Sequence, residues 1–409
     1  MLDERAQVIV AGGGLAAYAA ALAAAGQGAE VLLIPGGGKA WALFGGSLYT
    51  RGQMEDAAFQ ALVELYTAAG YPVGVARAGE TFLLPTTLGT LRAADLTPEE
   101  FQAADLGCPD PLLLVGWQEL PSFSAAWAAA ALQRQLQERA GRIDGRSPAV
   151  SPPLVLAATL AISEVFPRLV SGRERGGGDF PGLNWRALAA EMERPEGVRA
   201  LVSGLELALV RTDLPAAAKQ AHSEGRLRVA LPVVGLDRTR FIREEVYRLS
   251  GLVLCEVAGL LPAPGGLRAR AILDRALAGL RVAVRPGWTV TRIAVGNRPA
   301  VSGYVQGTET EFTVSGEYLI LAADFASDSL TYLAADTPAA AGCGGRAENR
   351  LVLAGATGRV AGAVPDPIPG STHAILWRSG YLAGREVAAR WRGRKSSPAL
   401  DGGRVEEGA

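Results

Sequence analysis

The run Val8-Ile9-Val10-Ala11-Gly12-Gly13-Gly14-Leu15-Ala16-Ala17 limits the possible folds of this chain more than any other stretch. An aliphatic segment at residues 7–10 reads as a short buried strand. Three glycines follow, then an Ala-rich helix over residues 15–25 that ends near Gly26. Residues 29–34 form a second, almost purely aliphatic strand. Strand, glycine turn, helix and strand within about thirty residues define a βαβ unit with a parallel pair.

The glycines match the pattern G-x-G-x-x-G/A at Gly12, Gly14 and Ala17. Gly12 permits a tight exit from the strand, Gly14 lets a phosphate approach the backbone, and Ala17 allows the helix to lie close to the sheet. With Gly13, Leu15 and Ala16 they bring the N–H groups and partial positive charge of a helix start to an anionic phosphate. The pattern therefore points to a flavin or dinucleotide. One usual partner is missing. Such folds place Asp or Glu at the end of the second strand to hold a ribose hydroxyl. Here that position reads Ile34-Pro35-Gly36, and Glu30 lies at the other end of the strand. A mononucleotide flavin stays open for that reason, so the cofactor reads as FAD or FMN. Residues 36–38 with Lys39 could form a small anion nest or a plain turn.

The expected fold class is α/β: a Rossmann-like flavin/dinucleotide-binding domain with a parallel sheet, split by an inserted α+β cap domain. Residues 1–80 form its first part and residues 81–225 the insertion. Residues 226–392 complete the flavin-binding domain, with strands at 228–234, 252–257, 281–284, 289–295, 300–306, 311–314, 318–323 and 351–354. A helix is expected over 268–279 and a final one over 372–391. Residues 393–409 read as a disordered tail, and the glycine-rich 171–180 as a surface loop.

Composition removes several classes of function. A formal charge of −1 gives no reason to expect nucleic acid as a partner. The three cysteines, Cys108, Cys255 and Cys343, are far apart and form no disulfide framework, zinc knuckle or iron–sulfur motif. With only His222 and His373 as imidazoles, no metal site is expected. Asp3 and Glu4 precede the apolar N-terminal stretch and glycines interrupt it, which is unlike a signal peptide. The expected location is cytoplasmic.

The segment VIVAGGGLAAYAAALAAAG, the loop FGGSLY at 44–49 and PTTLGTLR at 85–92 resemble the smaller flavoprotein component of the bacterial anaerobic glycerol-3-phosphate dehydrogenase. The likeness resumes at 229–243, at 289–323 and in NRLVLAGATGRVAGAVPDPIPG at 349–370. It covers both ends of the chain well and the middle poorly. It implies a flavin-containing chain that works with a larger FAD-bearing catalytic subunit, with electrons passing to an iron–sulfur subunit, then to quinone. It also implies a position at the cytoplasmic face of the inner membrane, held only through partners. By position, Gly12, Gly14 and Ala17 approach the flavin phosphate, and Gly45, Gly46 and Ser47 match a loop near the isoalloxazine. Gly355 approaches the ribityl chain, and the backbone of Val290 contacts the adenine. Two departures stand out: Leu321-Ala322-Ala323-Asp324 lacks the family's glycine, and Pro369-Gly370-Ser371-Thr372-His373 replaces a start rich in glycine and cysteine.

Oxidising an alcohol through a flavin needs a base for the hydroxyl proton. His373, at the start of the final helix, is the candidate catalytic imidazole, with the helix terminus expected to lower its pKa. A phosphorylated small-molecule substrate also needs arginines, and Arg92 and Arg359 are the candidates. Trp117, Trp127, Trp185, Trp288 and Trp377 read as core or interface anchors. Two further readings stand beside this one. The chain could be a cofactor-poor structural or electron-relay partner in such a complex, or a stand-alone FAD-dependent enzyme acting on another substrate.

Overall fold

A computed structural model describes residues 1–35, 41, 43–142, 152–171, 184–296, 298–323, 350–354 and 372–396. In chain order, the elements that build its sheets are β1 (Leu2–Ala11), α1 (Leu15–Ala25), β2 (Val31–Ile34), β3 (Leu112–Trp117), α2 (Ala125–Arg142), β4 (Val155–Leu160), β5 (Arg228–Leu231), α3 (Thr239–Ser250) and β6 (Val253–Glu256). Then come α4 (Pro264–Gly279), β7 (Ala283–Val284), β8 (Trp288–Ala294), β9 (Ala300–Val305), β10 (Glu311–Ala323), β11 (Leu351–Ala354) and α5 (Thr372–Ser396). The chain divides into two units, one made of Met1–Ala40, Leu273–Ile368 and Ile375–Ala409, the other of Trp41–Ile272 and Pro369–Ala374.

In the first unit, the described strands form a sheet in the order β7-β2-β1-β10-β9-β8, with β11 also paired to β10. Five strands are mutually parallel: β1, β2, β7, β10 and β11. Ranked by their place in the chain, they lie in the spatial order 3-2-1-4-5. This is the Rossmann-like arrangement, and its order reverses between β1 and β10. The aliphatic runs are continuous because both faces of the sheet are covered. Ile9, Leu32, Val314, Leu319 and Leu321 join Trp288 and Phe312 in one buried cluster. The Trp288 and Phe312 rings are stacked, with centroids 4.2 Å apart.

Helix α1 is buried at every residue, which only a run of small side chains allows. Gly380 and Gly384 of α5 are the reason. A Cβ on Gly380 would lie 2.0 Å from the Ala16 carbonyl oxygen, and one on Gly384 2.2 Å from that of Ala20. Two glycines four apart thus let the two helix backbones touch, as small residues do at close helix crossings.

Two strands are longer than the sequence pattern indicates. Residues 311–314 and 318–323 form one strand, β10, because Gly316 pairs with Ala6 instead of breaking the ladder. A side chain at Gly316 would meet Ile9 at 2.9 Å, so the glycine serves the packing there. Pairing with β10 also extends β1 back to Leu2. Helix α4 begins at Pro264, four residues before the expected start, because proline fits the first turn of a helix. Helix α5 runs on to Ser396, so residues 393–396 are helical where a tail is expected.

The second unit holds a separate parallel sheet in the order β6-β5-β3-β4. Two small antiparallel pairs accompany it, Val73–Val75 with Leu96–Pro98 and Phe82–Pro85 with Leu91–Ala94. Strands β5 and β6 belong here, whereas the sequence reading groups residues 226–392 with the flavin-binding sheet. Arg228 shows why. It is 4% exposed, and its guanidinium donates to the carbonyl oxygens of Asp105, Cys108 and Asp110, which fixes β5 beside the start of β3. The main core of this unit gathers Leu113, Val115, Trp117, Leu160, Leu201 and Leu231.

Candidate functional site

The glycine fingerprint lies at the order reversal of the first sheet. Gly12, with φ 140°, leaves β1 beside β10. A Cβ there would stand 1.5 Å from the Ala322 carbonyl oxygen, so no other residue fits. Gly14, with φ 81°, caps α1, and its carbonyl accepts the first helical bond from Tyr18 N at 3.2 Å. No acidic residue occupies the first turn of α1, which suits an anion at that end. Ala16 and Ala17 are fully buried. Leu15 and Ala16 each have a partner. Val290 sits on β8 at a register shift against β9, between Val290 and Arg292, with its side chain in the core. Gly13 lies buried in the same turn. Gly355, Arg359, Lys39 and the departures at Asp324 and residues 369–371 lie outside the described residues.

The second unit brings five of the other candidates together. Gly45, Gly46 and Ser47 follow Phe44, and a Cβ on Gly45 would lie 2.9 Å from Arg92 Nη1. Arg92 Nη2 donates to the Ser47 carbonyl at 3.0 Å. Ser47 Oγ shares a 2.6 Å hydrogen bond with Thr97 Oγ1. The loop is anchored beyond Ser47 by the buried Asp95 carboxylate, which accepts from Thr50 N at 2.7 Å, from the Thr50 hydroxyl at 2.8 Å and from Gly52 N at 3.0 Å. The His373 ring packs on Phe44, with centroids 5.1 Å apart.

The electrostatics of this cluster follow from burial. Among the described residues Arg92 forms no ion pair, and desolvation lowers its pKa. His373 is pushed down to about 4, first by burial and second by the nearby Arg92 charge. The sequence reading assigns such a shift to the helix terminus; desolvation is the larger cause. The imidazole is therefore neutral at physiological pH and able to accept a proton. Each of positions 92 and 373 rests on the 44–47 loop, Arg92 through the Ser47 carbonyl and His373 through the Phe44 ring.

The second parallel sheet offers an alternative place for a nucleotide, at the loops that follow β5 and β4. Its own carboxylates fill those loops. Glu193 accepts the N–H groups of Leu236, Asp237 and Arg238 ahead of α3. Glu119 accepts those of Ile162 at 2.7 Å and Ser163 at 3.1 Å just beyond β4. An anion would have to displace a carboxylate at either place. The fingerprint of the first unit, with glycine at its N-cap and no acidic residue in its first turn, is the better fit to a flavin phosphate.

Residues 7–135 match the family described as FAD binding domain. That stretch is about a third of the chain, and with the α/β fold it supports FAD as the bound flavin. No curated protein matches the chain. Among solved structures, 3-ketosteroid delta1-dehydrogenase from Sterolibacterium denitrificans is 12% identical, with 78% of this chain and 48% of that chain covered and a TM-score of 0.29. The 3-ketosteroid-delta4-(5alpha)-dehydrogenase from Rhodococcus jostii RHA1 is 13% identical, covering 86% and 53%, with a TM-score of 0.26. The p-nitrophenol 4-monooxygenase from Pseudomonas putida DLL-E4 is 10% identical, covering 79% and 41%, with a TM-score of 0.24. The chain spans about half the length of these structures. Among the described residues, no helix is long and apolar enough to cross a membrane, and no group of His, Cys, Asp and Glu could hold a metal ion.

Two features carry no readable sequence signal. Arg268 forms a buried ion cluster with Glu100 and Glu256, from segments far apart in the chain. The Gly380/Gly384 seat is hidden in a helix whose glycines look only unfavourable.

Proposed function

We propose that this chain oxidises a small phosphorylated alcohol, glycerol 3-phosphate, at FAD, as the smaller flavoprotein component of an anaerobic glycerol-3-phosphate dehydrogenase. The observation that carries this reading is the pairing of Arg92 with His373. A half-buried guanidinium without an ion pair among the described residues sits beside an imidazole held neutral. Arg92 would grip the anionic end of the substrate, which needs a countercharge there. His373 would accept the hydroxyl proton. A bound flavin would supply the acceptor for the hydride from the same carbon. Gly12, Gly14 and Ala17 would serve its phosphate end, and Gly45, Gly46 and Ser47 keep the role near the flavin ring that the resemblance gives them. Val290 and Gly355 keep the roles that the resemblance gives them, and Arg359 would be a second anion contact. In this reading the chain works with two partners, a larger FAD-bearing catalytic subunit plus an iron–sulfur subunit, and reaches the inner membrane only through them.

The test is anaerobic titration of the purified flavoprotein with glycerol 3-phosphate, glycerol and succinate, following the flavin absorbance. Bleaching by glycerol 3-phosphate alone supports the reading. Reduction by glycerol or succinate in preference to the phosphate ester overturns it. Mass spectrometry of the released cofactor separates FAD from FMN. A colourless chain that stays free of flavin and co-purifies with a larger flavoprotein would select the structural-partner alternative, which the missing ribose acid after Ile34 favours.

A further inference from the structure

Arg268 lies one turn into α4, with its side chain 2% exposed. Its guanidinium meets Glu100 at 2.8 Å and Glu256 at 2.6 Å, and donates to the Gly235 carbonyl. Glu256 also accepts from Val234 N at 2.9 Å, and Glu100 from the Tyr71 hydroxyl. One guanidinium thus faces two carboxylates with almost no water. Such a cluster is a poor source of stability, because desolvating the charges offsets their attraction, and apolar replacements often do as well. What it does supply is a fixed position for the helix that carries it.

The position matters because of what the first turn of α4 touches. A Cβ on Gly266 would stand 2.0 Å from the Trp41 carbonyl oxygen and 2.4 Å from that of Phe44. A Cβ on Gly265 would stand 2.5 Å from the Gly45 carbonyl oxygen, and one on Gly46 would be 3.2 Å from Gly265 Cα. Helix and loop therefore meet backbone to backbone, with no flexible side chain between them to absorb a displacement. The same loop carries Arg92 through the Ser47 carbonyl and His373 through the Phe44 ring.

We propose that Arg268 is a positioning residue: through the Gly265–Gly266 seat it holds the 44–47 loop, and with it Arg92 and His373, in one arrangement. It acts without touching substrate or flavin itself. The catalytic meaning of this arrangement rests on the function proposed above, but the positional claim does not.

The full chain would be prepared as Arg268→Met, Arg268→Lys and Gly265→Ala, and the His373 imidazole titrated by NMR. In the native chain burial and Arg92 hold His373 down at about 4. A loosened loop lets water in and moves Arg92 away, so Arg268→Met should raise that value by about one unit or more, with a smaller rise for Arg268→Lys. Gly265→Ala leaves the ion cluster intact and disturbs only the seat, so it should reproduce the rise even if Arg268→Met does not fold. If folded Arg268→Met, or folded Gly265→Ala, titrates like the native chain, the proposal is overturned. In the flavin-loaded protein, the variants should also shift the visible spectrum and raise KM for glycerol 3-phosphate about tenfold or more, with a smaller change in kcat. A native chain that binds no flavin would remove the functional reading, while the His373 shift would still stand or fall by itself.

Discussion

The carbonyl oxygen of Ala322 lies 1.5 Å from the place a Cβ on Gly12 would occupy. Gly12 directly follows β1 and Ala322 lies near the end of β10, the neighbouring strands between which the sheet order reverses. The glycine of the fingerprint is thus required first by the sheet itself. A phosphate-binding turn can form there only because the strands have already been allowed to meet.

Gly12→Ala should therefore be severely destabilising. It combines a clash with fixed backbone, roughly 1–3 kcal/mol or more, and a φ that L residues rarely adopt, another ~1–3 kcal/mol. Gly28→Ala is the control, since φ there is 88° but a Cβ meets nothing within 4 Å. It should cost only the backbone strain, about 1 kcal/mol. Urea unfolding of the two variants checks the difference. Equal losses would show that the close approach at Gly12 is relieved by relaxation.

The contact of α5 with α1 gives a second test. Gly380→Ala and Gly384→Ala each drive a methyl into a helix carbonyl, so despite the higher helix propensity of alanine both should lower stability by about 2 kcal/mol or more. At Gly393, in the same helix, a Cβ meets nothing within 4 Å. There the propensity term acts alone, and Gly393→Ala should stabilise by about 0.5–1 kcal/mol. Thermal melts of the three variants read the sign directly. A gain at Gly380 would remove the close helix crossing.

How far the sequence shows this fold depends on the range over which each signal acts. The unit β1-α1-β2 is legible because turn chemistry and periodicity are local. The place of β7 beside β2 is not, since Ala283–Val284 is only two residues long and its pairing spans most of the chain. The second parallel sheet escapes for a related reason. Arg228 opens β5 with a charged residue that reads as surface, yet it is buried against three carbonyls. At the candidate site, Arg92 and His373 are each readable as chemistry-bearing residues. Their shared seat on Phe44 to Ser47 is not, because nothing local links positions 92 and 373. Arg268 is one arginine among forty basic residues, and only its burial distinguishes it.

His373 sets a pH dependence whose sign can be worked out. Its folded pKa, about 4, lies below the ordinary value of 6.5. Between those two values the unfolded chain binds a proton that the folded chain does not. Stability from this group is therefore full above pH 6.5 and is lost as pH falls toward 4. The shift corresponds to roughly 3 kcal/mol as an upper figure. His373→Gln should flatten the loss of stability between about pH 7 and pH 4.5, as measured by urea unfolding at each pH. An unchanged slope would mean that His373 titrates as it does in water.

Arg92→Met separates a binding arginine from a structural one. The substitution gives up the hydrogen bond to the Ser47 carbonyl, about 1 kcal/mol, and relieves a half-buried cation that has no ion pair among the described residues. The two effects oppose each other, so the melting temperature should move little. Two other readouts should move clearly. The chain has only two histidines, His222 and His373, so NMR can follow each imidazole. Loss of the Arg92 charge should raise the His373 pKa, and burial, the larger cause, should keep it below 6.5. A charge-assisted hydrogen bond to an anionic substrate contributes roughly 1.5–3 kcal/mol, so with the substrate proposed above, kcat/KM for glycerol 3-phosphate should fall about tenfold or more. A variant with lowered stability but undiminished kcat/KM would make Arg92 a scaffold for the loop and would leave the substrate's anion to be held elsewhere.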